Sequence, residues 1–263
     1  MPYATSQGVR VHYRVHGEGP ALVLQHGFTW NLESWSRYGY VEALRPHYRL
    51  ILVDARGHGA SDKPHDAAAY ALSLRVADVV AVLDALDIRT AHFWGYSMGG
   101  WIGFGLAKYA PERVRGLIVG GAHPYERRFP PSALLDGSDP KAFVEALLGR
   151  LGVDFATLSA ERQAEFFDND FLALAAAQGD RPSMEDTLPT MRMPCFLYSG
   201  EADGVLPDMQ RCVQRIPHAT FVSFPSLNHP EAFYRADVVL PPVMTFLQSV
   251  ALWRHASAAH SGG

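Results

Sequence analysis

The chain has 263 residues, 48% of them hydrophobic and 19% charged, which is enough to bury one large core. Its 23 Lys and Arg against 27 Asp and Glu give a formal charge of −4 with the signs interspersed, so no basic face for nucleic acid is indicated. The N-terminus, Met-Pro-Tyr-Ala-Thr-Ser, lacks the pattern of a signal peptide, and no window reaches the ~18 apolar residues of a bilayer span, so a cytoplasmic protein with no membrane partner is expected.

Short apolar runs of strand type alternate with longer stretches whose apolar residues recur every three or four positions. That pattern predicts a mostly parallel sheet with helices on both faces. Val9 to Val15 alternates apolar and polar residues and ends in Gly-Glu-Gly-Pro, as an antiparallel edge strand entering a hairpin does. Ala21 to Gln25 is the first buried strand, and it leads into His26-Gly27-Phe28. Leu50 to Val53 is a second buried strand, Leu72 to Leu86 a helix, Ala91 to Trp94 a third strand and Met98 to Tyr109 a helix.

At the junction of these last two stands Gly95-Tyr96-Ser97-Met98-Gly99, the G-x-S-x-G pattern of a nucleophile elbow. Such a turn strains the serine backbone and projects the hydroxyl above the sheet, so the positions two before and two after must lack bulk. Attack on a carbonyl produces an oxyanion, and stabilising it takes two N–H groups fixed in advance. Met98, next after the serine, and Phe28, in the loop after the strand at 21–25, are the candidates. His26 is read as a residue that pins this loop.

Gly116 to Val119 is a further strand. From about His123 to Met191 no strand is convincing, and the segment reads as several helices rich in Phe, Leu and Ala, a helical insertion lying over the sheet. Cys195 to Tyr198 and Thr220 to Phe224 are the last strands, with a helix from Asp208 to Arg215 between them. A final helix spans Asp237 to Leu252, which Pro241-Pro242 must break or restart. The expected organisation is a core of 1–122 and 192–253, a helical cap of 123–191 and a frayed tail of 254–263. Cys195 and Cys212 have no CxxC partner and are read as reduced thiols, and no metal cluster is indicated.

Together with Asp54-Ala55-Arg56-Gly57-His58-Gly59-Ala60-Ser61, these motifs resemble the α/β-hydrolase fold family. More narrowly they resemble its capped esterase, lactonase and carbon-carbon hydrolase branch, from Val9 to Leu247 apart from the insertion. The resemblance implies an eight-stranded, mostly parallel sheet flanked by helices, and makes the 54–61 segment a structural loop, so that His58 is not the base. It also places an acid after the seventh strand and a histidine after the eighth. Asp203, in Gly200-Glu201-Ala202-Asp203, and His229, in Ser226-Leu227-Asn228-His229, are thereby nominated beside Ser97. Asp203 is preferred to Glu201 on the G-x-x-D spacing from Gly200.

The activity implied is hydrolysis of small carboxylic esters through an acyl-enzyme on Ser97, with no metal or organic cofactor. Serine at 97 argues against the dehalogenase and epoxide hydrolase branches, which use aspartate. Lactonases, carbon-carbon bond hydrolases and cofactor-free perhydrolases share the triad. The last are disfavoured by Thr29 and Trp30, where that branch often carries a proline. A non-catalytic small-ligand receptor is the reading from a different class, and a complete triad counts against it. Trp30, Tyr96, Phe129 and Phe143 are the candidate pocket-lining residues, of an enclosed and mainly apolar site for small neutral esters. The only partner implied is that small-molecule ester or lactone, and a homodimer is compatible with it.

Overall fold

The computed structural model describes residues 1–128 and 135–260, the side chains of 251–260 excepted. Its strands are β1 (Tyr3–Ser6), β2 (Val9–His16), β3 (Ala21–Gln25), β4 (Arg49–Val53), β5 (Ala91–Tyr96), β6 (Val114–Gly120), β7 (Cys195–Gly200) and β8 (Ala219–Phe224). They form one eight-stranded sheet in the order β1-β2-β4-β3-β5-β6-β7-β8. β2 is antiparallel to β1 and β4, and β3 to β8 are parallel. β3 lies between β4 and β5, with Gln25 opposite Val53 on one side and Gly95 on the other. The loop leaving β3 therefore starts beside the turn leaving β5.

Alternation along the strands divides the core between the two faces of the sheet. Val23, Ile51, Phe93 and Val119 join one cluster with residues of α3 (Leu72–Ala85), α4 (Met98–Tyr109) and α8 (Leu206–Val213). Leu22, Leu50, Trp94 and Ile118 join the other, with α1 (Glu33–Arg37), α2 (Tyr40–Leu44), α9 (Glu231–Tyr234) and α10 (Ala236–His260). On α3 the buried residues Leu72, Val76, Val79 and Leu83 form one helical stripe, each worth about 1.5–3 kcal/mol in burial.

Between β6 and β7 the chain forms α5 (Pro140–Arg150), α6 (Ala160–Phe167) and α7 (Phe171–Ala177), with a small core of Phe143, Val144, Leu148, Phe166, Phe171 and Leu174. Asp139, Ser159 and Asp170 cap the three N-termini with side-chain acceptors. Arg127 and Arg181 close the neck of this segment as an antiparallel bridge, with N–H to O=C distances of 2.9 and 2.8 Å. His65 to Asp170, at 3.0 Å, is a tie from the helical segment to the body.

Two expectations change. α10 runs unbroken through Pro241 and Pro242. The bonds those prolines cannot donate are outweighed by packing, because Val239, Val243, Leu247 and Val250 on either side of them are buried against the sheet. The same helix continues to His260, into the stretch expected to fray. The edge strand β1, which the sequence reading did not include, adds to the antiparallel edge. No helix among the described residues is long and apolar enough to cross a membrane.

Candidate active site

Ser97 sits between β5 and α4 with φ 53° and ψ −110°, a conformation L-residues rarely adopt. The surroundings hold it there: its N–H donates to the Gly120 carbonyl at 2.8 Å, and its own carbonyl accepts from Trp101 N–H at 3.0 Å. The flanking glycines are a matter of clearance. A Cβ on Gly95 would lie 2.1 Å from the Gly99 carbonyl oxygen, and one on Gly99 would lie 2.2 Å from that of Gln25. Both contacts are with backbone, so neither can be relieved by a side-chain rotation.

Asp203 follows β7 and His229 follows β8, and the parallel register carries both to the edge where Ser97 stands. The Ser97 hydroxyl lies 2.9 Å from His229 Nε2, and His229 Nδ1 lies 2.7 Å from Asp203 Oδ2. A carboxylate only accepts, so Nδ1 carries the proton and Nε2 is left free to receive one from the serine. Asp203 is buried, with its Oδ1 accepting from Val205 N–H at 3.1 Å. Glu201 instead faces out and accepts from the Ser223 hydroxyl at 3.0 Å. Phe28 and Met98 line the same cavity as Ser97, and neither backbone N–H has a protein acceptor among the described residues.

The loops behind the site are held by buried polar groups. Asp54 accepts from the N–H of Leu32 at 2.8 Å and of Ala60 at 2.9 Å, and pairs with His12 Nδ1 at 2.7 Å. His26 Nε2 accepts from Ala55 N–H at 3.1 Å, so its Nδ1 donates to the Gly27 carbonyl at 2.7 Å. That supports reading His26 as a pin for the loop. His58 donates through Nδ1 to the Arg56 carbonyl at 3.1 Å, and its ring meets those of His26 at 5.3 Å and Phe28 at 5.4 Å. Arg56 is itself held by a buried pair of bonds to Asp78, at 2.6 and 2.5 Å.

Burial lowers the pKa of His26 and pushes that of His58 well down, the second with help from the His26 beside it. Both are therefore neutral in the native protein under conditions in which the unfolded chain, with histidine near ~6.5, takes up protons. Stability is full above about pH 6.5 and is lost as the pH falls below it toward the native values, by up to ~1.4 kcal/mol per pH unit for each histidine. Urea midpoints measured from about pH 7.5 to 5.5 should fall steadily on the acid side. A level or rising midpoint would show that these rings are not held neutral.

Of the pocket candidates, Trp30 lines the cavity, 5.9 Å from the Tyr96 ring and 4.6 Å from that of Phe233. Tyr96 does not: it is fully buried behind the histidine, and its hydroxyl donates to the His229 carbonyl. Phe143 is also fully buried, inside the core of the helical segment, because the pattern that marks a helix as apolar does not say which apolar face looks into a pocket. Phe129 lies outside the described residues. The helical segment offers Leu147, Leu148, Val153, Leu158 and Phe166 to the cavity, whose volume is about 670 Å³.

The expected apolar character holds for only part of this lining, since Arg75, Arg127, Arg150 and Arg181 also face the cavity. The sequence reading missed them. Their only signal was Arg127 and Arg181 standing near the two ends of the insertion.

Residues 20–192 match the model of the α/β-hydrolase fold, and the chain belongs to that family. The pimeloyl-[acyl-carrier protein] methyl ester esterase of Xanthomonas axonopodis pv. citri is 29% identical over 270 residues, covering 91% of this chain and all of that one. Among solved structures, the esterase RhEst1 from Rhodococcus sp. ECU1013 is 25% identical with a TM-score of 0.80, over 95% of this chain and 98% of its own. The enol-lactonase from Burkholderia xenovorans LB400 is 25% identical with a TM-score of 0.78, over 94% of this chain and all of its own. With relatives of this kind on this fold, the chain is a hydrolase.

Proposed function

We propose that the protein hydrolyses carboxylic esters of small acids through an acyl-enzyme on Ser97. The observation that carries this reading is the unbroken hydrogen-bond chain from Ser97 through His229 to Asp203, at 2.9 and 2.7 Å. Ser97 Oγ attacks the ester carbon while His229 Nε2 takes the hydroxyl proton, and Asp203 steadies the imidazolium that forms. The tetrahedral oxyanion is received by the N–H groups of Phe28 and Met98. Collapse breaks the bond to the alcohol oxygen, which leaves with the proton from Nε2. A water then repeats the cycle on the acyl-enzyme: His229 accepts its proton, the carboxylic acid departs and Ser97 regains its hydrogen. A lactone is an internal ester and follows the same steps.

The cavity of about 670 Å³, with Phe28 and Trp30 in its lining, favours short and medium acyl chains over long lipids. A fluorophosphonate should label Ser97, seen by mass spectrometry, and abolish turnover of p-nitrophenyl butyrate. Activity that survives full labelling sinks the nucleophile assignment. A steady rise of kcat/KM from acetate to palmitate esters would point to a lipase instead.

A further inference from the structure

The two N–H groups nominated for the oxyanion are held in unequal ways. Met98 is the first residue of α4, so the helix itself fixes where its N–H points. Phe28 stands in a loop, inside a turn in which Trp30 N–H donates to the Gly27 carbonyl at 3.3 Å. That loop passes beside the nucleophile: a Cβ on Gly27 would lie 3.6 Å from that of Ser97. A trans peptide points its C=O and N–H in opposite directions, so the bond that turns the Gly27 carbonyl toward Trp30 also sets the direction of the Phe28 N–H.

The turn places Thr29 in left-handed backbone, with φ 66°. The third position of such a turn is ordinarily glycine or asparagine, and a β-branched residue there is a strained exception that its surroundings must hold. Within the loop, the Thr29 hydroxyl donates to the Phe28 carbonyl at 2.6 Å. A second hold comes from the helical segment. Asn169, between α6 and α7, turns its amide nitrogen to the Thr29 carbonyl at 3.1 Å and to those of Phe166 and Glu165 at 3.1 and 3.4 Å. Three acceptors face it, so nitrogen and not oxygen occupies that side of the amide. Its neighbours are anchored to the body: Glu165 pairs with Arg37, and Asp170 with His65 at 3.0 Å. The Phe28 ring packs against the core of the same segment.

Resting on the esterase reading of Ser97, we propose that Asn169 is a positioning residue for catalysis: by holding the Thr29 carbonyl it keeps the turn closed and the Phe28 N–H aimed at the oxyanion. Asn169 itself touches no reacting atom. The helical segment thus completes, through the loop, a site whose two donors both lie outside it. The Phe28 N–H matters most once charge has developed on the carbonyl oxygen, so loss of its aim falls on kcat and spares substrate binding.

The test is Asn169→Ala, with Asn169→Asp as a second variant of the same size whose carboxylate has no N–H to offer. Kinetics on p-nitrophenyl butyrate are taken per active site, counted by complete fluorophosphonate labelling of Ser97. For both variants kcat should fall about 10- to 100-fold, less than the loss of a whole donor, with KM within about twofold of wild type. A trifluoromethyl ketone adds to the Ser97 oxygen as a tetrahedral oxyanion while His229 takes the proton, and its inhibition should weaken by a similar factor. In a Thr29→Gly background, where positive φ carries no strain, the cost of Asn169→Ala should shrink to less than about threefold. A kcat per active site within about twofold of wild type, even with a lowered thermal midpoint, makes Asn169 a cap of α6 alone and overturns the inference. So does a change confined to KM, or a cost undiminished in the Thr29→Gly background. Wild-type protein that turns over no ester and takes no label at Ser97 removes the esterase reading and this inference with it, an outcome told apart from the others because it involves no variant.

Discussion

Ser97→Ala should lower kcat by about four to six orders of magnitude on any ester the protein turns over, with the fold unchanged. The size follows from the role, since without the oxygen no acyl-enzyme forms and only the oxyanion donors and binding remain. Tolerance of the change follows from the structure. The hydroxyl lines the cavity, it is hydrogen-bonded to His229, and the contacts that hold φ at 53° are made by backbone groups that alanine keeps. The thermal midpoint should therefore stay close to that of the wild type. A variant retaining more than about a tenth of the activity would place the nucleophile elsewhere.

Asp203→Asn should cost kcat about three to four orders of magnitude, and Glu201→Gln less than about twofold. The asparagine amide can donate to Nδ1 of His229, which moves the imidazole proton to Nε2 and leaves the ring unable to take the proton of Ser97. Glu201, by contrast, is exposed and reaches no further than the Ser223 hydroxyl. Steady-state kinetics on the two variants decides between the carboxylates, and a larger loss from Glu201→Gln would reverse the assignment.

What was legible in the sequence was whatever repeats at short range or depends on a fixed spacing. The apolar runs located the seven strands from β2 to β8, and G-x-S-x-G located Ser97, because a close backbone approach at Gly95 and Gly99 admits no other residue type. Asp203 and His229 were reachable only through the family pattern, since 26 residues separate them and the sheet register that joins them is not written locally. β1 was missed because Tyr-Ala-Thr-Ser is short and half polar, and becomes a strand only by pairing with β2. Pro241 and Pro242 were read by their local chemistry, and the buried stripe of α10 overrode it. The arginine cluster was invisible for a related reason. Arg127 and Arg181 are 54 positions apart, and each alone reads as a solvated charge; their meeting in one bridge, with Arg181 over Trp101, is a property of the folded neck. Tyr96 looked like a pocket aromatic and is instead a support under His229.

The bridge at Arg127 and Arg181 means that everything between those two residues departs from and returns to one point beside β6 and β7. A stretch attached in this way can change length cheaply, since each doubling of a closed loop adds only about 0.6 kcal/mol. It can also change sequence without disturbing the pairing of any strand. Ser97, Asp203 and His229 all lie outside it, on the ends of strands whose register is fixed by burial on both faces. On the proposed reading, selectivity and the reacting groups lie on separate pieces of chain: the neck would work as a socket for different helical modules, each presenting another set of side chains to the same Ser97.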